Sequence, residues 1–462
     1  MILAPRISIL AALLMAGTGT ARAQTQTAPT PAPVPTPQSA PAPDATTASE
    51  PAQEEVPADT PPPPTTDIIS GRTLSILLDA RLVAANGHKS FTDGGLGITR
   101  FSGAKDGDFR VDPLPIEADL IWTPRFTNSL SGNVSVAWQR DQENAVDVME
   151  AFVTFLPARS GNVSVSAKAG LYWPEISLEH ATGGAWSTVH TITPSAINSW
   201  VGEEVKVVGA EASLMATIGK SDFSATAGLF GFNDTSGTLL SFRGWALQDI
   251  KATAFGHFPL PPLNSFIVHL QEDQTRSLIE LDNRVGFYGR LEWRPPAPVT
   301  VNAFYYDNRG NPAAFEPTGQ WGWRTRFVNL GLTAELAPGT RLLAQAMEGT
   351  TQMGFKTNGV VWVDTRYRSA YALLAHEIGK GEVSGRVEAF DTSEHGSRMS
   401  HSDESQRGWA LTAAGRWTFN PLLTGFLEVL HVHSTRGTRI VYFGLPPTES
   451  QTVIQASLRV RL

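Results

Sequence analysis

The chain has 462 residues, 41% of them apolar and 17% charged, with a net charge of −8 and no cysteine. The acidic balance leaves no surplus of Lys and Arg to neutralise phosphates, which excludes a general nucleic-acid binder. The lack of cysteine excludes disulfide scaffolds, Cys-ligated zinc and thiol catalysis, and it suits an oxidising compartment, where a stray thiol is a liability.

Residues 1–23 read as a signal peptide. Arg6 supplies the leading positive charge, and Ile7 to Gly17 is an apolar run too short to span a bilayer as a helix. Ala21-Arg22-Ala23 is a small-x-small cleavage site, which starts the mature chain at Gln24. Residues 24–66 alternate Pro with Ala and Thr and carry only acidic charges. Such a block has almost nothing to bury and is expected to stay extended and disordered in the periplasm. It is read either as a tail that threads peptidoglycan or as an inert spacer. No later run approaches the ~20 apolar residues of a transmembrane helix.

Residues 67–462 follow the grammar of strands. Val134-Ser-Val-Ala-Trp138, Val163 to Leu171 and Val285 to Trp293 alternate apolar with polar or small residues, the period-two signal of a strand. Sixteen strands are read near 73–84, 116–125, 130–140, 145–156, 162–172, 204–217, 221–232, 284–294, 298–307, 326–336, 339–349, 367–378, 382–392, 407–418, 422–434 and 452–462. After every second strand the turn is tight, as at Phe126 to Ser129, Pro157 to Gly161, Ile218 to Lys220, Pro295 to Ala297, Ala337-Pro338, Gly379 to Gly381 and Phe419 to Pro421. The intervening linkers are long and polar: 85–115, 173–203, 233–283, 308–325, 350–366, 393–406 and 435–451, with only the link after residue 140 short. Long and short connections sorted by parity, with an even strand count, describe a closed antiparallel transmembrane β-barrel with short periplasmic turns and long extracellular loops. The last strand fits closure. Ile454, Ala456, Leu458, Val460 and Leu462 share one face, and Gln455, Ser457, Arg459 and Arg461 the other. Trp122, Phe126, Phe155, Trp293, Trp417 and Phe419 lie at strand ends, where an interfacial aromatic girdle belongs.

The same parity turns Lys168, Arg290, Arg294, Arg386, Arg416, Arg459 and Arg461 inward, along with Glu117, Asp119, Glu150, Glu211, Glu292, Glu388 and Glu428. A charge on the lipid side at mid-bilayer costs roughly 2–4 kcal/mol for Arg or Lys. These residues are read as pore-lining. Two arrangements stay open: a basic wall (Arg290, Arg386, Arg416) facing an acidic one (Glu117, Glu150, Glu211), or ion pairs such as Arg290–Glu292 and Arg386–Glu388 that brace the wall. Linkers 173–203 and 233–283 hold apolar residues that an exposed loop disfavours. Trp186, His190 and Trp200 mark the first as a constriction loop, and packing over the barrel mouth is the alternative.

Enzyme motifs are sparse. Glu175, Glu179, His180 and His190 lack the His-Glu-x-x-His spacing that sets two imidazoles on one helix face. No Gly-x-Ser-x-Gly elbow occurs. His431 and His433 offer half of a Ser–His pair with no evident serine, and Asp307 to Asn311 reads as a plain turn. No metal, cofactor or catalytic residue is expected.

Val148-Met-Glu-Ala-Phe-Val-Thr-Phe155, a tight turn, and Val165 to Glu179 with its Gly170-Leu-Tyr-Trp-Pro174 element resemble the matching strand pair of the phosphate-selective porin O and P family of Gram-negative outer membranes. That resemblance implies a sixteen-stranded homotrimer in outer-membrane lipid and lipopolysaccharide, with the loop after Pro174 folding into the pore. Only Lys168 sits where a basic pore residue belongs, so phosphate selectivity is not implied. The expected activity is passive diffusion of small hydrophilic solutes or ions. A plugged-barrel enzyme and a structural anchor to peptidoglycan are the alternatives.

Since residues 24–66 carry no apolar surface to dock, deleting them is expected to leave barrel assembly intact. Retained heat-modifiable migration on gels checks this; loss of folding would make the tail structural.

Overall fold

The computed structural model describes residues 66–462, apart from 140–141, 143, 158–160, 182–186 and 400–403. The expectations for the signal peptide, for the tail up to residue 65 and for Trp186 lie outside the described residues. In chain order the strands are β1 (Leu74–Ala85), β2 (Arg110–Trp122), β3 (Leu130–Gln139), β4 (Val146–Phe155), β5 (Val163–Tyr172), β6 (Val207–Ile218) and β7 (Ser221–Gly231). Then come β8 (His257–Pro259), β9 (Gln274–Arg276), β10 (Gly286–Arg294), β11 (Val299–Asp307), β12 (Arg324–Ala337) and β13 (Thr340–Thr357). The last five are β14 (Val360–Ile378), β15 (Gly381–Glu394), β16 (Gln406–Asn420), β17 (Leu423–Arg436) and β18 (Thr448–Arg461).

All but β8 and β9 form one closed antiparallel barrel of sixteen strands. Each barrel strand pairs with its neighbours in sequence, and β7 pairs with β10 across residues 232–285. β18 closes on β1, with Leu78 opposite Val460 and Leu82 opposite Ala456. β8 and β9 make a separate two-stranded ribbon within residues 232–285. Closure follows from the side-chain period of two. On β1, Leu74, Ile76, Leu78 and Leu82 point outward and are exposed, whereas Asp79, Arg81 and Val83 point inward and are buried. The same alternation on every wall puts one greasy face outside and one charged face inside.

One connection differs from the sequence reading. Residues 350–366 are not a long polar linker: β13 and β14 run on as a hairpin that turns at Asn358-Gly359. Both turn residues have positive φ, 52° and 85°. That is the type I′ geometry whose twist matches the strands, and Asn-Gly is its favoured sequence. Three of the other long linkers hold short α-helices: α1 (Ala196–Glu204), α2 (Thr238–Phe242) and α3 (Thr438–Phe443). Among the described residues no helix is long and apolar enough to cross a membrane; the strands are the elements that cross.

The Gly170-to-Pro174 element has a steric basis. Gly170 sits at φ 138°, and a Cβ there would meet the Ala151 carbonyl and lie 2.6 Å from the Phe152 Cα. Only glycine lets β5 approach β4 this closely while it bends toward the lumen. Gly170→Ala is expected to destabilise the barrel by about 1–3 kcal/mol. The readout is the temperature at which the folded gel band converts to the unfolded one; no change would show that the strands yield freely.

Candidate functional site

The fourteen charged residues all sit on the inner parity of their strands. Glu117, Asp119, Glu150, Glu292, Arg386, Glu388, Glu428 and Arg459 are buried there. Lys168, Glu211, Arg290 and Arg416 are partly exposed to the interior, and Arg294 and Arg461, the last residues of β10 and β18, are exposed at the short-turn end.

What buries most of them is the chain between β5 and β6. It crosses from the β5 wall to the walls built by β15–β18, where inward side chains hold its backbone. Arg459 Nη1 donates to the Thr188 carbonyl (2.8 Å), and the Ile192 and Thr193 amides donate to Glu428 (2.6 and 3.0 Å). His190 Nδ1 lies 2.8 Å from a Glu382 carboxylate oxygen, and Ser384 Oγ donates to the His190 carbonyl at 2.8 Å. Arg386 is the hub. It donates to Glu179 (2.7 Å), to Glu388 (2.9 Å) and to the Thr193 carbonyl (2.8 Å).

These contacts deliver the chain to the start of α1. There Ser195 caps the Asn198 amide, and Glu388 accepts the Ala196 amide at 2.8 Å. A carboxylate at a helix N-terminus satisfies a free N–H and complements the dipole. All nine residues of α1 are buried. Trp200 is fully enclosed by Trp245, Phe327 and Tyr367, with ring centroids 6.1, 5.4 and 5.3 Å away.

The second long linker packs on top. Glu204 accepts the Gly237 and Leu239 amides at 3.0 Å, and Glu203 takes two bonds from Arg243 (2.7 and 2.6 Å). Trp245 Nε1 reaches the Asp391 carbonyl on β15 at 3.0 Å. Burial pushes the Glu204 carboxyl up to about 7, against the hydrogen bonds that hold it ionised. Both linkers therefore pack inside the barrel. The second and α1 lie toward the long loops, whereas residues 188–190 of the first reach the short-turn end of β15 and β16, where Arg416 donates to the Val189 carbonyl at 3.3 Å and His190 meets Glu382.

A small cavity of about 20 Å³, room for about one water, remains between this filling and the β1–β2–β18 wall. Asp79, Arg81, Glu117, Asp119, His180, Asp249, Lys251 and Arg459 are among its lining residues. Its charges interlock: Arg81 and Arg459 each lie 2.9 Å from Asp79, and Arg100 lies 3.0 Å from Asp249. Asp119 is the exception, with no cation within 4.0 Å among the described residues. Burial drives His180 well below the ordinary histidine value, so it is neutral.

Of the residues named for the two arrangements, Arg290, Arg386, Arg416, Glu117 and Glu211 each stand in an ion pair. Arg290 pairs with Glu292 on its own strand, Lys168 with Glu211 (2.9 Å) and Arg416 with Glu382 (3.0 Å). Nor do Arg290 and Glu211 face each other, because only β7 separates β10 from β6 in the barrel. Sequence reasoning also missed Glu179, Glu382, Asp79 and Arg81 as partners. The parity of β1 and β15 carried that signal for the last three.

Glu179, His180 and His190 are engaged separately, with Arg386, Ser177 and Glu382. Asp234, Glu280 and Asp282 do converge, but each accepts backbone amides, such as Leu281 to Asp234, Asn283 to Glu280 and Asn311 to Asp282. That accounts for their closeness as a loop clasp. His433 does find a serine, Ser450 Oγ at 2.8 Å, and His431 finds Thr452 Oγ1 at 2.9 Å. Both are directly opposed cross-strand pairs on the outer face, and Trp409 stacks on His433. Among the described residues no carboxylate is hydrogen-bonded to either imidazole, so no triad forms. Asp307 to Asn311 is a turn, held by the Arg309 amide to Asp307 at 2.8 Å.

A closed, even-stranded antiparallel barrel with an apolar outer wall, short turns at one end and long loops at the other has one solvent that fits it. The protein is a transmembrane β-barrel of a bacterial outer membrane. Compared with known proteins, it matches no family model and no curated protein. Among solved structures it is similar to the outer-membrane channel DcaP of Acinetobacter baumannii, with TM-score 0.49, 8% identity, and coverage of 85% of this chain and 99% of that one. It is also similar to an anion-selective porin from Comamonas acidovorans (TM-score 0.48, 12% identity, 84% and 99% covered). OprB of Pseudomonas putida gives TM-score 0.46 at 10% identity, with 85% and 94% covered.

Arg386→Ala would leave Glu179 and Glu388 buried without their cation. Breaking one side of a buried pair costs about 3–5 kcal/mol. The barrel is expected to melt earlier and the chain around Thr193 to become sensitive to protease; unaltered melting and protection would remove Arg386 from its role as hub.

Proposed function

We propose that the protein is a porin-like passive channel for small hydrophilic solutes or ions. The observation that carries this reading is the inner wall at the short-turn end. There Ser164, Ser166, Ser213, Ser224 and Thr226 stand beside Lys168 and Arg290, polar and only partly buried, on the inside of a closed barrel. Sixteen strands enclose enough room for an aqueous lumen. Water enters from the periplasmic side and meets a constriction made by the infolded segments. Selectivity then belongs to the groups at that constriction.

The fourteen inward charges serve mainly to hold this wall and its filling in place, while Lys168 and Arg290 border the open half. The pairing of Lys168 with Glu211 leaves no free basic cluster to select phosphate, so the finer kinship to the phosphate-selective porins is carried only by the Gly170–Pro174 element. A homotrimer in lipid and lipopolysaccharide, with the Pro-rich tail toward peptidoglycan, is part of the same proposal. The enclosed aromatic cluster at Trp200 favours one competing reading, a barrel whose lumen is permanently plugged.

Conductance separates the two. Purified protein in a planar bilayer is expected to give discrete steps, and deleting residues 181–190 is expected to enlarge them. A silent wild type would sink the channel reading. Unchanged steps from a normally inserted deletion variant would place that segment away from the bottleneck.

A further inference from the structure

The arginines buried inside the barrel are held by carboxylates, but three on its outer face are not. Arg326 on β12, Arg366 on β14 and Arg407 on β16 stand on the outward parity of their strands and are exposed. None has a carboxylate within 4.0 Å among the described residues; Arg326 donates only to Thr350 Oγ1, at 3.2 Å. Two more outward arginines accompany them, each with a partner: Arg324 lies 3.3 Å from Asp307, and Arg368 lies 2.6 Å from Asp391. Glu348 and Asp364 are further outward carboxylates of this arc. The balance is five arginines against four carboxylates, and three of the arginines are bare.

Their height on the wall gives them meaning. On β13, Thr340 to Glu348 is eight steps up from the short-turn end. At ~3.3 Å per residue and a tilt near 45° that climbs ~20 Å of a ~25 Å apolar band. Glu348 lies opposite Arg368, and Thr350 is paired with Arg326 on one side and Arg366 on the other. Asp391 is paired in the same way with Arg368 and Arg407. The row therefore crosses from β12 to β16 at one height, where the hydrocarbon ends. Below it Val328 and Leu330 on β12 and Leu411 on β16 are exposed to lipid. Between these strands the wall is shallow, because Ala346, Ala370 and Ala389 lie opposite one another. Elsewhere on the barrel the outer face stays apolar toward its upper end, at Val208 on β6, Leu229 on β7 and Phe287 on β10.

We propose that this arc docks the phosphorylated sugar headgroup of lipopolysaccharide, with the acyl chains laid against the small residues below. An arginine without an ion pair at the edge of the hydrocarbon favours an anion at the same height. A guanidinium forks onto a phosphate with two parallel hydrogen bonds. Neighbouring strands lie ~4.8 Å apart, so Arg326 and Arg366 are ~10 Å apart across β13, and Arg368 and Arg407 are likewise across β15. Side chains of that length close on a phosphate from both sides. Two such pairs suit a headgroup with a phosphate at each end, whereas a glycerophospholipid would fill one. This inference rests on the outer-membrane placement and not on conduction, so a silent channel leaves it standing.

Native mass spectrometry of the folded protein in detergent, titrated with lipid A, tests the site. Wild type is expected to carry bisphosphorylated lipid A. The variant with Arg326→Ala, Arg366→Ala and Arg407→Ala is expected to bind it about tenfold more weakly, as the loss of charge-assisted bonds implies. A control with Arg72→Ala and Lys220→Ala at the short-turn end is expected to bind as wild type does. Folded gel migration qualifies each variant, and Arg366→Gln alone, with a severalfold loss, replaces the triple variant should that not assemble. Equal binding by wild type and the folded variant overturns the site. Equal binding of lipid A stripped of its phosphates overturns phosphate recognition, and equal binding of phosphatidylglycerol overturns the choice of lipid. The chain has no cysteine, so Arg366→Cys reports what covers the arc. A disulfide-linked pair of barrels in intact outer membranes would place a second copy there and overturn the proposal; a single barrel is the expected result.

Discussion

Closure of the sheet in lipid is the constraint from which the rest follows. A strand edge in hydrocarbon leaves a row of backbone donors and acceptors that nothing can satisfy, so β18 must return to β1. Once the sheet is closed, the pleat leaves one choice for every side chain, lipid or lumen. Leu, Val and Trp go out, and Arg, Glu and Asp are forced in. A lumen crowded with charge then needs partners. The chain between β5 and β6 supplies them, because its Glu179 and its backbone amides and carbonyls meet Arg386, Glu388 and Glu428. The infolding is thus less an added lid than the completion of an electrostatic problem posed by the wall.

The architecture was legible because period two is a local signal. Strand count, parity and the alternation of short and long links are all written within a few residues of each other. The hairpin at Asn358-Gly359 was passed over because Thr350, Thr351 and Thr357 dilute the greasy face there. Beyond the bilayer the outer face has no need to be greasy, so polarity no longer separates strand from loop. The Asn-Gly pair was the clue that survived.

The site was legible only by halves. Parity placed Arg386 and Glu388 inward, yet their partners on the crossing chain lie far off in sequence: Glu179 is 207 residues from Arg386, and the Ala196 amide is 192 residues from Glu388. No spacing rule reaches that far. The same holds for Glu428 and the Ile192 amide. A sequence reader sees unpaired charges and infers a field across the pore; the folded chain neutralises most of that field pair by pair. That Asp119 has no cation within 4.0 Å among the described residues is visible only after the partners of the charges around it have been assigned.

The long β13–β14 hairpin gives the molecule an uneven rim. β13 and β14 have 18 and 19 residues, against 9 each in β10 and β11. At ~3.3 Å per residue and a tilt near 45°, 18 residues climb ~40 Å, well beyond a ~25 Å apolar band. On this side the strands themselves outrun the membrane, and the loop after β11 packs on them there: the Gly354 amide donates to the Pro312 carbonyl at 2.7 Å, and Trp321 meets Phe355 and Trp362. Past these contacts, open space surrounds Gly359 in the two-residue turn, which makes that turn the place where a foreign epitope is displayed with least disturbance to the barrel below.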